Sequence, residues 1–307
     1  MTRTALLGFP RIGADRELKR ALEDHWAGRT SDAELEAVAR SLRAAHLRTG
    51  AEAGIDMLPV GDFALYDHVL DAAELVGITA ERHGAGDLAA HFRACRGADG
   101  VRPLEMTKWF DTNYHYLVPE LRAGQEPRLN AGKWIAHLAE ARELGVAARP
   151  VVLGPFSLLL LSKGASQPLA LLPALTEVYA ELLRLLAAAG ASEVQLDEPC
   201  LALDRSASEL DAFAAAYGGL DEAGGPAICL ATYFASLPAP ALARVAALAP
   251  AELHVDLVRA PEQLGAVLAA LPPGTRLSAG VVDGRNVWAA DPDRALDLLD
   301  RAAAALG

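Results

Sequence analysis

Eight short apolar runs, spaced along the chain with helical stretches between them, constrain its fold more than any other feature. Ala5–Gly8, Asp56–Val60, Leu104–Lys108, Pro150–Leu153, Val194–Leu196, Ala227–Ala231, Leu253–Leu257 and Leu277–Val282 read as strands. Most are unbroken rather than alternating, as expected for strands buried on both faces of a parallel sheet. Amphipathic helical segments fall at Ser31–Gly50, Leu169–Gly190, Pro238–Ala249, Pro261–Leu271 and Asp291–Leu306. Ser31 and Asp291 stand at N-cap positions, and Gly50 and Gly190 where C-caps are wanted. The alternation predicts an α/β fold, a single-domain (β/α)8 TIM barrel over residues 1–307, with a longer excursion over about 61–103 between strands two and three. A doubly wound dinucleotide fold is disfavoured, because Gly8-Phe-Pro-Arg-Ile-Gly13 puts Pro where such a turn needs backbone freedom.

The 307 residues suit one such barrel, which typically takes about 250. With 52% hydrophobic and 22% charged residues the chain excludes general disorder. No apolar run approaches the roughly 20 residues of a membrane span, and Met1-Thr-Arg-Thr-Ala-Leu-Leu-Gly8 lacks the features of a secretory signal, so cytoplasm is expected. Cys95, Cys200 and Cys229 are widely spaced and form neither a disulfide framework nor a zinc ribbon. A net charge of −12 excludes the basic stripe that nucleic acid requires. Only four lysines occur, Lys19, Lys108, Lys133 and Lys163. A cation kept in so acidic a chain is a candidate anion contact.

In a barrel of this kind functional groups gather at the carboxyl ends of strands. Glu105-Met-Thr-Lys-Trp-Phe-Asp-Thr-Asn-Tyr-His-Tyr116 is too polar for a core and too aromatic for a plain loop, and reads as a site wall. The strand ends place Arg11, Arg20, Lys108, Trp109, Asp111, Asn113, Tyr114, His115, Asp197 and Glu198 as groove-lining candidates. Arg16, Lys19 and Arg20 share one helix face at i, i+3, i+4, either as a solvated face or as a seat for an anion. Asp197-Glu198 is a paired carboxylate that suits acid–base or metal chemistry, or a structural role accepting hydrogen bonds from neighbouring loops. His254 and Asp256 fall on one strand face without an evident third metal ligand, so a hydrogen-bonded pair is expected there.

Several long strings, in order, resemble the amino-terminal half of the cobalamin-independent methionine synthases: Gly8-Phe-Pro-Arg-Ile-Gly13, Arg16-Glu-Leu-Lys19, Glu105–Tyr116, Val194-Gln-Leu-Asp-Glu-Pro199, Leu230-Ala-Thr-Tyr-Phe234 and Gly280-Val-Val-Asp-Gly-Arg-Asn-Val-Trp288. The resemblance covers the whole chain. It implies that Arg16, Glu17, Leu18, Lys19 and Lys108 contact the polyglutamate tail of 5-methyltetrahydropteroyl-polyglutamate. It also implies a second, carboxyl-terminal barrel, in the same chain or a separate one, whose zinc activates homocysteine. The His-x-Cys and later Cys of that copy are not matched here. The corresponding places read Leu230-Ala-Thr232 and Val282-Asp-Gly284, so no metal, no cofactor and no catalytic residue are expected in this half. The expected role is folate docking for methyl transfer to homocysteine, with the chain either cut at a domain boundary or encoded as a separate half. Two rivals stay open: a stand-alone non-catalytic folate-binding or scaffold barrel, and a zinc-free lyase using Asp197, Glu198, His254 and Asp256.

Overall fold

A computed structural model describes residues 2–84, 86–98, 100–122 and 124–306. Its strands are β1 (Leu58–Val60), β2 (Met106–Lys108), β3 (His115–Leu117), β4 (Ala148–Leu153), β5 (Glu193–Asp197), β6 (Ala227–Ala231), β7 (Glu252–Asp256) and β8 (Arg276–Gly280). Its helices are α1 (Glu17–Trp26), α2 (Asp32–Glu52), α3 (His68–Leu75), α4 (Leu88–Arg96), α5 (Gly132–Glu143), α6 (Pro155–Leu160), α7 (Leu172–Ala188), α8 (Ala207–Glu222), α9 (Ala239–Leu248), α10 (Leu264–Ala270) and α11 (Pro292–Leu306). Six strands form one parallel sheet in the order β1-β4-β5-β6-β7-β8, and β2 pairs antiparallel with β3.

Two expected strands are therefore corrected. The first is reduced to a parallel bridge of Ala5 with Met57, because Gly8 and Pro10 follow at once and limit the ladder. The third, Leu104–Lys108, stays out of the parallel sheet. Met106 and Lys108 are exposed, which a strand covered on both faces does not allow, so the segment folds back on His115–Leu117 as a hairpin. β1 consequently pairs directly with β4, and the excursion between them runs well beyond residue 103. The ladder is open rather than a closed eight-stranded barrel among the described residues.

The sheet is nevertheless curled, and ion pairs cross its inside. Arg149 of β4, 1% exposed, donates to Glu252 of β7 at 2.8 Å and to Gln195 of β5 at 3.0 Å. Arg3 and Arg276 of β8 each reach Glu193 of β5 at 2.8 Å. Such a buried guanidinium is tolerated because its carboxylate partner shares the same water-poor space.

The helices follow their sequence signals closely. Ser31 caps α2 through a full capping box with Glu34, and Asp291 accepts from the amides of Asp293 and Arg294 at the start of α11. Gly190 ends α7 at φ 95°, as a C-cap glycine should. Gly50 differs. It lies inside α2, where a Cβ would come within 2.3 Å of the Leu58 side chain, so it is kept for the close approach of α2 to β1. Helix α8 has a capping box at Ser206 and Glu209 but carries Gly218 and Gly219, which blur its helical signal.

Candidate functional site

The β2–β3 hairpin arches over the carboxyl ends of the sheet. Its anchor is Asp67, 1% exposed, which caps α3 at Leu70 N and accepts from Leu117 N at 3.1 Å and the Tyr114 hydroxyl at 2.6 Å. Burial, with the Asp67 charge beside it, pushes the Tyr114 phenol far above its ordinary range. At the hairpin tip Trp109 packs edge-on against Phe110 and Tyr116, with His68 4.5 Å from the Trp109 ring. Phe110 meets Phe234, beyond β6, at 5.1 Å. Asp111 is ion-paired with Arg259, beyond β7, and lies 3.9 Å from Arg285, beyond β8, whose guanidinium stands 5.4 Å from the Phe234 ring. The hairpin thus joins loops from three successive strands.

The basic face lies at the same end. Phe9 N donates to Asp62 and Arg11 to the Ala64 carbonyl, both just past β1, so the segment leading into α1 is held beside the hairpin's anchor. Arg16 turns the chain into α1 in the left-handed region at φ 63°, and Arg16, Lys19 and Arg20 are exposed. Glu17 accepts from Asp15 N at 3.1 Å in the first turn. Leu18 is fully buried in the α1–α2 core, which removes its side chain from any ligand. Lys108 is distinctive. Lys19 is 3.6 Å from Glu23, Lys133 is 2.6 Å from Asp71 and Lys163 pairs with Glu105, but among the described residues Lys108 has no carboxylate partner. Among the described residues Arg11, Arg16 and Arg20 also lack one, as do Arg48, Arg102 and Arg184 elsewhere.

Inside the mouth, Asp197 accepts from Gln195 at 2.8 Å and Tyr233 at 3.1 Å, and burial pushes its carboxyl up to about 6. Glu198 is fully buried and accepts from Phe156 N, Ser157 N and the Tyr217 hydroxyl at 3.1, 2.7 and 2.7 Å. Burial raises its pKa to about 7 despite those donors. It caps the first turn of α6, which favours the structural reading of this carboxylate. His254 and Asp256 are not a hydrogen-bonded pair. His254 Nδ1 is 2.9 Å from Ser278 Oγ, whereas Asp256 accepts from the amides of Phe234, Val258 and Arg259. Burial and the Arg149 charge lower His254 to about 4.

The residues at the mouth do not fit a thiolate-held zinc. All three cysteines are buried; burial pushes the Cys200 thiol up to about 12 and Cys229 well above its ordinary value. Thr232, at the end of β6, donates its hydroxyl to the His254 carbonyl.

The family model described as "cobalamin-independent synthase, N-terminal domain" matches residues 3–307. The chain belongs to this family. It is 50% identical over 309 residues to a 5-methyltetrahydropteroyltriglutamate–homocysteine methyltransferase of Xylella fastidiosa (strain M23), covering 97% of this chain and 40% of that protein. A protein of the same name from Chelativorans sp. (strain BNC1) is 48% identical, over 96% of this chain and 41% of its own length. The chain therefore spans about two fifths of these relatives. Among solved structures, a putative vitamin-B12-independent methionine synthase from Listeria monocytogenes superposes with a TM-score of 0.70 at 12% identity, covering 100% of this chain and 89% of that one. A B12-independent methionine synthase from Shewanella sp. W3-18-1 gives 0.66 at 13%, covering 89% and 79%. At those identities the likeness shows the fold alone.

For this member of the cobalamin-independent synthase family, the structure brings Arg11, Lys108, Trp109, Asp111, Asn113, Tyr114 and His115 to the end of the sheet where the α1 cations lie. Asp197 also opens there, while Glu198 is withdrawn into the core. Sequence reading missed Asp67, His68, Arg259 and Ser278. Asp67 had a signal, an Asp directly before the apolar run of α3. Arg259 had none, because its partner Asp111 is 148 positions away.

Proposed function

We propose that this chain is the folate-docking half of a cobalamin-independent methionine synthase. Arg16, Glu17, Lys19 and Lys108 receive the polyglutamate tail of 5-methyltetrahydropteroyl-polyglutamate, with Leu18 holding α1 in place from the core. A separate zinc-bearing barrel, in the same chain or another, carries homocysteine and the methyl transfer. The observation that carries this reading is that Lys108, at the hairpin, and Arg11, Arg16 and Arg20, in and before α1, have no carboxylate partner among the described residues, in an acidic family member. A row of carboxylates is the complementary ligand, because each successive glutamate adds a charge-assisted contact without demanding a closed pocket.

The mouth residues then have supporting roles. Trp109, Phe110 and Phe234 form an aromatic cluster that fixes the hairpin tip next to the exposed Lys108. Asp111 holds the hairpin to the loops beyond β7 and β8, and Tyr114 holds it to Asp67. A closed (β/α)8 barrel in one domain belongs to the same proposal, supported by the six parallel strands, the Ala5–Met57 bridge and the ion pairs across the interior. Three unpaired thiols support a reducing, cytoplasmic setting.

The test is direct binding of mono- and triglutamyl methyltetrahydrofolate to the chain. Affinity is expected to rise with tail length and to fall with added salt; equal affinity for the two tails refutes the docking role. Mixing the chain with a zinc-bearing barrel of the family and assaying methionine formation tests the partnership.

A further inference from the structure

The loop between β8 and α11, residues 281–291, turns its apolar side chains outward. Nine large apolar residues stand exposed among the described residues, and five of them, Val282, Val287, Trp288, Leu296 and Leu306, lie between positions 282 and 306. Val287 and Trp288 are the most exposed of all, at 92% and 80%. Trp109 and Trp134 are buried and Trp26 is half-buried, so Trp288 is the one tryptophan that gives its indole to solvent. Adjacent exposed apolar residues rimmed by charge mark an interaction surface, and an indole is the side chain that gains most from being covered.

The exposure is built into the loop. Asp283 accepts from Arg285 N at 2.9 Å and from Asn286 Nδ2 at 2.8 Å, and Asn286 in turn accepts from Trp288 N at 2.8 Å. These bonds hold a turn whose apolar residues stay outside it, and a backbone already fixed loses less entropy when a partner arrives. The loop is also continuous with the mouth. Arg285 lies 3.9 Å from Asp111 at the hairpin tip and 5.4 Å from the Phe234 ring.

We propose that Val282, Val287 and Trp288 seat the zinc-bearing carboxyl-terminal barrel, with the Trp288 indole entering an apolar pocket of that partner. The inference rests on the reading of this chain as the folate-docking half and adds the place where its companion binds. Two observations favour that occupant. The family match is to an N-terminal domain, and the relatives share only 40% and 41% of their length with this chain, which leaves about three fifths, enough for a second domain of this size. A partner on this loop also borders the end of the sheet where the docking residues lie, as transfer of a methyl group from the docked folate requires.

The test titrates the full chain with the carboxyl-terminal part of the Xylella fastidiosa (strain M23) relative, the part this chain does not match, prepared as folded, zinc-loaded protein. The chain is expected to bind it, and Trp288→Ser and Val287→Ser are each expected to weaken binding about tenfold or more. Both variants should keep the thermal midpoint of the free chain within about 2 °C of the parent, with unchanged affinity for triglutamyl methyltetrahydrofolate. Hydroxyl-radical labelling of Trp288 in the parent should fall when the barrel is added. No binding, equal binding by the variants or undiminished labelling overturns the proposal. Dimerisation of the chain through Trp288 overturns it too, by giving the surface to a second copy. If a variant does not fold, labelling of the parent decides alone. The dependence of folate affinity on tail length is read on the free chain, so failure of the interface and failure of the docking role are separate results.

Discussion

Phe110 and Phe234 meet with ring centroids 5.1 Å apart, and both hold their rings on left-handed backbones, at φ 51° and 79°. One comes from the tip of the β2–β3 hairpin and the other from the loop beyond β6. Aromatic residues adopt that backbone rarely and at a cost of roughly 1–2 kcal/mol each. The contact is retained because the two turns aim both rings at one point, beside Trp109 and Arg285.

Removing one ring should therefore free the hairpin. Phe234→Ala is expected to lower unfolding free energy by about 1–3 kcal/mol, since it loses packing while keeping the backbone strain. Amide hydrogen exchange should accelerate at Trp109 and Thr112, whose amides bond within the hairpin tip. Unchanged exchange at both positions would show that the hairpin is held by Asp67 alone.

Lys108 should matter more for tail binding than Lys19. Lys19 already has Glu23 at 3.6 Å on a surface helix, whereas Lys108, at the end of β2, has no carboxylate partner among the described residues. Lys108→Ala is expected to weaken triglutamyl-folate binding by about 0.5–1 kcal/mol or more, and Lys19→Ala by less. Both should stay within about 0.5 kcal/mol of the parent in stability. Titration calorimetry and thermal melts together check this, and a Lys108→Ala protein that binds normally refutes the assignment.

Glu198 should prove structural. It takes three donors at the start of α6, so Glu198→Ala leaves two buried amides and the Tyr217 hydroxyl without their acceptor. A loss of about 3 kcal/mol or more is expected, visible as a lower midpoint in denaturant unfolding. Parent-like stability would return Glu198 to the list of candidate acid–base groups.

Asp197 gives a pH signature. Burial raises its folded pKa from 3.8 to about 6, so the folded state binds its proton more tightly than the unfolded state does. Its contribution must then fall as pH rises from about 4 to about 6 and remain unfavourable above that. Asp197→Asn should match or trail the parent near pH 4 and gain on it through that window. A stability difference that does not vary between pH 4 and 7 would contradict the buried-carboxyl account.

Much of the fold was legible because its signals are local. The apolar runs at Pro150–Leu153 and Ala227–Ala231 became β4 and β6, as buried parallel strands should, while Val194–Leu196 and Leu253–Leu257 became β5 and β7, in which polar Glu193, Gln195, Glu252 and His254 alternate with the apolar residues. Ser31, Asp291 and Gly190 likewise marked helix ends by their own chemistry. The chain also declared its family through strings such as Arg16-Glu-Leu-Lys19 and the Glu105–Tyr116 segment, which contain the residues proposed here to dock the tail.

The tertiary structure alone decided which neighbours those residues meet. Leu104–Lys108 has a strand's sequence, but only the exposure of Met106 and Lys108 and the return at His115 turn it into a hairpin outside the sheet. Leu18 and Glu198 sit in site-like motifs, yet packing buries both, one in the α1–α2 core and one under α6. Asp111 finds Arg259 across 148 positions. Contacts of that kind depend on how elements pack after the chain has collapsed, and no local pattern of residue types encodes them.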